Sequence, residues 1–262
     1  LDFQLLVMHV LGITQTDFFL LPQDFCFSTE ETTLLTELLT RRAADEPLAY
    51  LTGTKEFFGE TFTVTPDTLI PRPDSECLIE DILAYSKLVA PKTILDIGTG
   101  SGALIITLAQ HIPGAQCFGS DVSKAALTVA QKNIHDQQSS ATLLEGGFLL
   151  PYTDALLSAT PVFIIANLPY VSEALFAQTE TTVHQYEPTL ALLSSSDGLA
   201  HYYTLLQQVA ARTLPKGTAL WLEISPEQTG ALTNFIQTTF PEATVTISQD
   251  LANRDRFVRI VL

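Results

Sequence analysis

The sequence is poor in cations and has no long apolar run. Among 262 residues, 13 Lys and Arg stand against 29 Asp and Glu, so the formal net charge is −16. Binding along a phosphate backbone depends largely on cationic side chains, and this balance therefore disfavours a nucleic-acid partner. No apolar stretch approaches the roughly 20 residues of a membrane helix, and no basic segment followed by an apolar core indicates a signal peptide. We therefore expect no association with a membrane.

Cysteine is scarce as well. Cys26, Cys77 and Cys117 lie far apart and form no C-x-x-C pair, which argues against a zinc site and a disulfide framework. A reducing cytoplasm is the simplest expectation. Histidines occur singly, without a ligand spacing such as H-E-x-x-H, so we expect no bound metal. Surface or helix positions are expected for all of them: His9, His111, His135, His184 and His201.

The first part of the chain, residues 1–51, has the periodicity of helices. Ser28 is a candidate N-cap in front of TEETTLLTELLTRRAA, and LLVMHVL has a similar helical pattern. Together these segments predict a small helical bundle. Leu1 already stands in a helical rhythm, so we expect the natural start of the protein to lie upstream.

The composition changes twice after the bundle. Residues 52–73 have the aromatic and β-branched content of two short strands around a Gly59-Glu60 turn, which predicts a β-hairpin linker. In residues 74–262, apolar strands then alternate with helices: TILDI, GALIITLAQHI, QCFGSD, SKAALTVAQKNI, TLLEG and VFIIAN. This α/β alternation predicts a mostly parallel sheet with helices on both faces. Near the end, ATVTIS and RFVRIVL follow each other closely, which is typical of a terminal pair of strands.

A glycine-rich loop follows the first strand of this alternation. LDIGTGSG places Gly98, Gly100 and Gly102 between a strand and a helix, and Asp121 ends the next strand. Glycines let the backbone approach a ligand, the helix N-terminus offers free N–H groups, and the Asp121 carboxylate can accept hydrogen bonds from ribose hydroxyls. The pattern favours a nucleoside-type cofactor, S-adenosylmethionine or NAD. The terminal strand pair favours S-adenosylmethionine, because class I methyltransferases insert an antiparallel strand near the edge of their sheet.

The stretch FIIANLPYV ends a strand on an amide, a proline and a phenol. Ligands of open α/β sheets bind beyond the carboxyl ends of the strands, where Asn167 is expected. Its side-chain carbonyl and the backbone carbonyl of Leu168, held extended by Pro169, form two acceptors for one NH2 group. Tyr170 offers a ring face that can stack on the flat group carrying this nitrogen. Such acceptors orient a weakly nucleophilic nitrogen towards a methyl donor without a strong base.

The tetrapeptide leaves the substrate open. It resembles the Asn/Asp-Pro-Pro-Tyr motif of amino-methyltransferases, with Leu168 in place of the first proline, and Asn-Leu-Pro-Tyr is also the form found in rRNA adenine dimethyltransferases. Glutamine and adenine in RNA or DNA are therefore both candidate methyl acceptors, although the acidic charge counts against a nucleic acid. A third alternative is a module that binds S-adenosylmethionine but has lost catalysis.

A longer stretch separates these alternatives. RRAADEPLAYLTGTKEFFGETFTVTPDTLIPRPDSE, residues 41–76, resembles the junction segment of the release-factor glutamine methyltransferases, the HemK/PrmC family. Similar pieces cover nearly the whole chain: ILDIGTGSGALIITLA, SDVSKAALTVAQKN, QYEPTLAL with DGL, LEISPEQ and DLANRDRFV. The resemblance implies a class I methyltransferase fold, a Rossmann-like, mostly parallel seven-stranded sheet with an antiparallel strand, joined by the hairpin to a small N-terminal helical domain.

The resemblance also implies an activity and its partners. A methyl group would pass from S-adenosylmethionine to the side-chain amide of the glutamine in the Gly-Gly-Gln loop of class 1 peptide-chain release factors, with S-adenosylhomocysteine as product. The N-terminal helices are expected to dock this protein substrate, because a lone glutamine side chain carries too little specificity.

Site roles follow from the resemblance by position. The glycine loop would line the methionine part of the donor, Asp121 its ribose and Phe148 its adenine, while Arg72 and Glu76 would help shape the mouth of the site. The candidate cofactor-binding residues are Gly98, Thr99, Gly100, Ser101, Gly102, Asp121, Phe148 and Asn167. The candidate catalytic and substrate-binding residues are Asn167, Leu168, Pro169 and Tyr170.

Three residues depart from the family pattern besides Leu168. Gly147 stands where an acidic residue near the adenine is usual, so donor affinity or the contact with the base is expected to differ. Asn253 and Ser225 replace common glycines, and we expect these two to affect local turns more than chemistry.

Overall fold

The computed structural model describes residues 1–158, 160–176, 181–250 and 252–262, so Leu251 of the DLANRDRFV stretch lies outside the described residues. In these ranges, helices pack on both faces of a seven-stranded sheet, and a two-stranded hairpin connects this unit to the N-terminal helices. None of the described helices has the length and apolar character needed to cross a membrane.

The N-terminal part consists of short helices: α1 (Asp2–Leu11), α2 (Gln15–Phe19), α3 (Thr29–Ala43) and α4 (Leu48–Thr52). As predicted, Ser28 caps α3. Its hydroxyl accepts from the Glu31 amide at 3.2 Å, and Glu31 Oε2 accepts from the Ser28 amide at 2.7 Å. This capping box satisfies two amides that would otherwise lack a partner. The helices enclose a small core of Leu6, Val7, Leu35, Leu38 and Leu51.

The linker is a hairpin of two antiparallel strands, β1 (Thr54–Phe57) and β2 (Glu60–Thr63). Its turn lies one residue earlier than the sequence predicts, because Phe57 pairs with Glu60 and the turn residues are Phe58 and Gly59. Both turn residues have positive φ, 51° and 80°. A two-residue turn matches the twist of its strands in this conformation, which explains why the turn includes the glycine as its second residue.

The large sheet contains β3 (Thr93–Ile97), β4 (Gln116–Asp121), β5 (Thr142–Glu145), β6 (Val162–Ala166), β7 (Ala219–Glu223), β8 (Thr244–Gln249) and β9 (Asp255–Val261). Their order in the sheet is β5-β4-β3-β6-β7-β9-β8. β9 runs antiparallel to both of its neighbours, whereas the pairs from β5 to β7 are parallel. The mostly parallel sheet with one inserted antiparallel strand confirms the predicted class I methyltransferase fold.

Two apolar layers hold the helices on the sheet. α5 (Asp74–Ser86), α6 (Ala103–His111) and α7 (Lys124–Asp136) pack on one face, and α8 (Asp154–Ser158), α11 (Ala200–Ala210) and α12 (Thr229–Thr239) on the other. Two short helices, α9 (Glu173–Phe176) and α10 (Thr181–Tyr186), lie between β6 and α11 in the sequence. Successive strand residues belong to opposite layers, since Phe163 lies in the layer with α5 and Ile164 in the layer with α11. This arrangement leaves the carboxyl ends of the parallel strands free for a site.

Candidate active site

A cavity of about 380 Å³ opens beyond the carboxyl ends of β3, β4 and β6. This volume lies within the range of small-molecule sites. The glycine loop after β3, Asp121 at the end of β4 and Asn167 just after β6 line it together. Segments 66–72 and 188–191 contribute further walls. The parallel strands therefore bring three separately predicted groups to one edge of the sheet, as the fold rule for open α/β sheets requires.

The glycine loop forms the floor of the cavity. Gly98, Thr99, Gly100 and Ser101 all line it. Gly98 has a φ of 76°, and a Cβ built there would lie 3.0 Å from Leu168 Cδ2. The position needs glycine both for its left-handed backbone and for this close approach to the tetrapeptide.

Gly102 differs from the rest of the loop, because it is not among the described residues that line the cavity. It precedes α6 with a φ of 82°, and a Cβ there would lie 3.3 Å from Ala130 Cβ on α7. Its role in the structure is therefore the close packing of two helices.

The loop is tied to the hairpin through Asn133, whose Nδ2 donates to the carbonyls of Ser101 at 2.8 Å and Thr63 at 2.9 Å.

Asp121 supports the loop with its carboxylate. Oδ2 accepts from the Gly100 amide at 3.0 Å, and Oδ1 accepts from the Ser123 amide at 2.9 Å. A carboxylate oxygen can accept two hydrogen bonds, so both oxygens keep capacity for hydroxyl groups in the cavity.

A second carboxyl, Asp96, lies under the loop and was not predicted from the sequence. It is fully buried in β3, and Thr99 Oγ1 donates to its Oδ2 at 2.6 Å. Oδ1 has no partner among the described residues. Burial raises the pKa of Asp96 to about 7, against the opposing effect of the Thr99 hydrogen bond. Near neutral pH, the protein therefore holds a titrating group directly behind the loop.

This raised pKa predicts a pH-dependent loss of stability. Between its ordinary value of 3.8 and about 7, the folded protein keeps the Asp96 proton that the unfolded chain has lost. Stability must then fall as pH rises, by up to about 1.4 kcal/mol per pH unit within this window. Asp96→Asn keeps an acceptor for Thr99 but cannot ionise. Urea titrations at several pH values measure the unfolding free energy of the wild type and of Asp96→Asn. We expect the difference between the two to decline from pH 3.8 to about 7. Parallel pH profiles of the two proteins would contradict the raised pKa of Asp96.

The tetrapeptide leaves β6 with three of its residues at the cavity: Asn167, Leu168 and Pro169. Asn167 Nδ2 donates to Ser75 Oγ at 3.3 Å. The Leu168 side chain is 6% exposed and packs against the glycine loop. The backbone amide oxygen of Pro169 lies 3.3 Å from His201 Nδ1, a hydrogen bond that requires the proton on that ring nitrogen.

The Tyr170 side chain reaches Glu223 instead of the cavity wall. It is not among the described lining residues, and its hydroxyl donates to Glu223 Oε1 at 3.3 Å. Glu223 ends β7 and is fully buried, and Ser75 Oγ donates to its Oε2 at 2.6 Å. Burial raises the pKa of Glu223, while the Ser75 hydrogen bond and the charge of Arg256 act in the opposite direction. The predicted stacking of the Tyr170 ring on a substrate stays a prediction.

Phe148 and His201 line the cavity together, with ring centroids 6.0 Å apart and planes inclined by 35°. His201 was expected simply at a surface or helix position. It lies near the start of α11, half-buried, and faces the same cavity as the donor-binding candidates.

Gly147, the residue before Phe148, also lines the cavity, and a Cβ there would lie 3.2 Å from Val122 Cγ1. A side chain at position 147 would therefore press on this wall.

An ion pair lies at the mouth of the cavity. Arg72 lines the cavity, and its Nη2 lies 2.5 Å from Glu187 Oε1. Glu187 Oε2 also accepts from the Ile70 amide at 3.3 Å, so the pair fastens the LIPRPDSE loop to the segment after α10. Glu76 is not among the described lining residues. Its Oε1 accepts from the Phe58 amide at 3.1 Å, which ties the hairpin to α5 instead.

Four side chains at or behind the cavity were missed in the sequence: Ser75, Asp96, His201 and Glu223. Two of them carried a usable signal, because Asp96 and Glu223 stand inside otherwise apolar strands, where an unpaired carboxyl is rare. Ser75 and His201 carried none, since their contacts arise only when distant elements pack.

Two family models match the sequence. Residues 1–53 match the PrmC N-terminal domain, and residues 94–181 match a methyltransferase domain.

Curated relatives match over most of their length. Release factor glutamine methyltransferase of Moorella thermoacetica is 40% identical over 222 residues, which are 84% of this chain and 76% of the relative. Its namesake from Enterococcus faecalis is 33% identical over 246 residues, 94% of this chain and 86% of the relative. Among solved structures, the hMettl16 catalytic domain in complex with MAT2A 3'UTR hairpin 6 superposes with a TM-score of 0.58 at 14% identity, over 89% of this chain and 82% of that one. At this identity the structural likeness shows the fold alone.

Proposed function

Since this chain belongs to the release factor glutamine methyltransferase family, we propose that it methylates the side-chain amide nitrogen of the glutamine in the Gly-Gly-Gln loop of class 1 peptide-chain release factors. S-adenosylmethionine is the methyl donor, and S-adenosylhomocysteine is the product. One observation carries the proposal beyond family membership. Asn167 and Leu168, the two proposed acceptors for an amide NH2, line the same cavity as the glycine loop and Asp121.

The cavity residues fit this donor. A Cβ at Gly100 would meet no atom within 4 Å, so the loop backbone borders open space that a ligand can fill. The carboxylate of Asp121 has free acceptor capacity for ribose hydroxyls, and the ring of Phe148 offers a flat apolar surface to adenine. When bound, S-adenosylmethionine supplies an electrophilic methyl group attached to a positively charged sulfur. We therefore assign Gly98, Thr99, Gly100, Ser101, Asp121, Phe148 and Asn167 to donor binding, and Gly102 to holding the loop in place.

The substrate amide needs orientation rather than a strong base. Its nitrogen lone pair is delocalised into the carbonyl group, so the nitrogen is a weak nucleophile. Asn167 Oδ1 and the Leu168 carbonyl oxygen would accept from its two N–H bonds and turn the lone pair towards the methyl group. The nitrogen would then gain a bond to the methyl carbon as the bond between that carbon and sulfur breaks, and it would give up one proton to solvent.

The N-terminal helices would dock the release factor. They expose large apolar side chains, with Phe3 54%, Phe19 70% and Leu20 73% accessible. Phe19 and Leu20 are consecutive in the sequence, and exposed apolar side chains that adjoin each other mark contact surfaces more often than single ones do. We take residues 1–51 as the docking domain, 52–73 as its linker and 74–262 as the catalytic domain.

The other two functions considered from the sequence are not favoured. An adenine substrate in RNA or DNA would have to bind a chain with a net charge of −16, and the curated relatives are named for glutamine methylation. A silent binding module would not need the amide acceptors that the cavity retains.

Labelling tests the proposal directly. The protein is incubated with methyl-labelled S-adenosylmethionine and a purified release factor, beside a release factor whose Gly-Gly-Gln glutamine is replaced, and the label is mapped by mass spectrometry. We expect label on that glutamine and none on the replaced form. Donor binding in calorimetry without any label would reject the glutamine substrate and favour RNA or a silent binder.

A further inference from the structure

Behind the tetrapeptide, Asn167 is joined to two buried polar groups, Ser75 and Glu223, to which neither the comparisons nor the proposed reaction gives a role. Asn167 Nδ2 donates to Ser75 Oγ at 3.3 Å, and Ser75 Oγ donates to Glu223 Oε2 at 2.6 Å. Ser75 is 3% exposed and Glu223 is 1% exposed. The Ser75–Glu223 bond is therefore shielded from water, while Ser75 and the half-buried Asn167 both line the cavity.

The direction of this chain of hydrogen bonds follows from the ionised form of Glu223. Burial raises the pKa of this carboxyl, against which the Ser75 hydrogen bond and the charge of Arg256 favour the ionised form. When Glu223 is ionised it can only accept, and a serine hydroxyl has a single proton to donate. Since Ser75 gives this proton to Glu223, its oxygen faces Asn167 as an acceptor. Asn167 must then turn its NH2 group to Ser75, which leaves its carbonyl oxygen for the other side of the amide.

The support of this chain is rigid. Tyr170 donates to the second oxygen of Glu223 at 3.3 Å, so both oxygens of the carboxylate are held. Asp74, the residue before Ser75, pairs with Arg256 on β9 at 3.0 Å, which fixes the first turn of α5. A side chain held by packed neighbours keeps its orientation without reorganising during the reaction.

We propose that Ser75 and Glu223 are positioning residues which fix the orientation of the Asn167 amide and thereby make the site select glutamine over glutamate. This inference rests on the proposed function. A glutamine side chain offers two N–H donors to the acceptors in the cavity, whereas a glutamate carboxylate offers acceptors only. A reversed Asn167 would present its own NH2 group, which matches the carboxylate and opposes the glutamine amide.

Ser75→Ala tests the inference, because it removes the acceptor for Asn167 Nδ2 and lets the amide turn. We expect kcat for the glutamine-containing release factor to fall about tenfold, with the Kd of S-adenosylhomocysteine unchanged within about twofold. The decisive readout is a ratio, the Ki of a release factor with glutamate in place of the glutamine divided by the KM of the glutamine form. This ratio should fall about tenfold in Ser75→Ala, since the variant tolerates the carboxylate.

Glu223→Gln provides an independent variant. It leaves one acceptor for the hydroxyls of Ser75 and Tyr170, so the ratio should shift in the same direction, and the change should add nothing when combined with Ser75→Ala. Thr93→Val is the matched control. It removes another buried hydroxyl, whose oxygen has no partner among the described residues. Thr93 begins β3, at the end of this strand away from the glycine loop, so the change should leave kcat, KM and the ratio unchanged.

The outcomes separate the two proposals. If the wild type puts no label on the glutamine, the proposed function fails and this inference fails with it. If the wild type labels the glutamine but the ratio is unchanged in Ser75→Ala, the positioning role alone is wrong. Should Ser75→Ala lose donor binding, the ratio in Glu223→Gln decides, because that variant keeps the shape of the buried side chain. Additive effects in the double variant would likewise overturn the inference.

Discussion

Asn167→Ala should lower the kcat of methyl transfer about 10²- to 10³-fold, the range found when one preorganised hydrogen-bonding group is removed from a reacting centre. The backbone carbonyl of Leu168 would then hold only one N–H bond of the substrate, so the amide nitrogen would no longer be oriented towards the methyl group. Turnover is measured with a release factor and labelled S-adenosylmethionine at saturating concentrations of both.

Stability should change little in this variant. The Asn167 side chain is half-buried and makes one described hydrogen bond, to Ser75, so the unfolding free energy should fall by about 1 kcal/mol. Asn234→Ala, on the exposed face of α12, is the control and should retain full activity. Undiminished turnover in Asn167→Ala would remove the tetrapeptide from the mechanism.

Gly198→Ala should damage both stability and activity. Gly198 has a φ of 86°, and a Cβ there would overlap the Tyr170 carbonyl oxygen and Gln228 Nε2. These two atoms are hydrogen-bonded to each other at 2.7 Å, so they cannot separate without breaking this bond and shifting the backbone of the tetrapeptide. We expect a loss of about 3 kcal/mol or more in unfolding free energy, from overpacking and backbone strain together. The kcat of the folded fraction should fall at least about tenfold, because the amide acceptors move.

The chain offers a matched control for the strain alone. Gly217 has the same φ of 86°, but a Cβ there would meet no atom within 4 Å. Gly217→Ala should therefore cost only about 1–2 kcal/mol and leave kcat unchanged. Chemical denaturation of both variants measures the difference, and equal losses would show that the overlap at Gly198 is relieved at no cost.

The sheet was predictable from local pattern. Each parallel strand is a short apolar run followed by a helix, and residues such as Leu95 and Ile164 are buried because both faces of the sheet are covered. The terminal strands were predictable from their close succession. Short elements such as α2, five residues long, were not predicted, because so few residues carry too weak a periodicity. The turn at Phe58 was misplaced for a related reason, since a phenylalanine rarely adopts positive φ.

The candidate site was predictable where the topology alone brings residues together. Parallel strands end at one edge, so the glycine loop, Asp121 and Asn167 could be expected to meet. The hydrogen bonds behind Asn167 could not be predicted, because Ser75 and Glu223 are 148 positions apart and meet through the packing of α5 on β7. The direction of the Tyr170 side chain could not be predicted either, because its hydroxyl also contacts the distant Glu223.

The position of β9 has a consequence for how the sheet forms while the chain is being synthesised. β9 is synthesised after β8 but lies between β7 and β8, so β7 keeps an open edge until residues 255–261 have been made. A nascent chain can thus assemble the five strands from β5 to β7 and still lack the strand that pairs with β7 at Glu223. Such an edge is prone to pair with other chains while it waits. Methylating capacity should consequently emerge only after residues 255–261 have left the ribosomal tunnel.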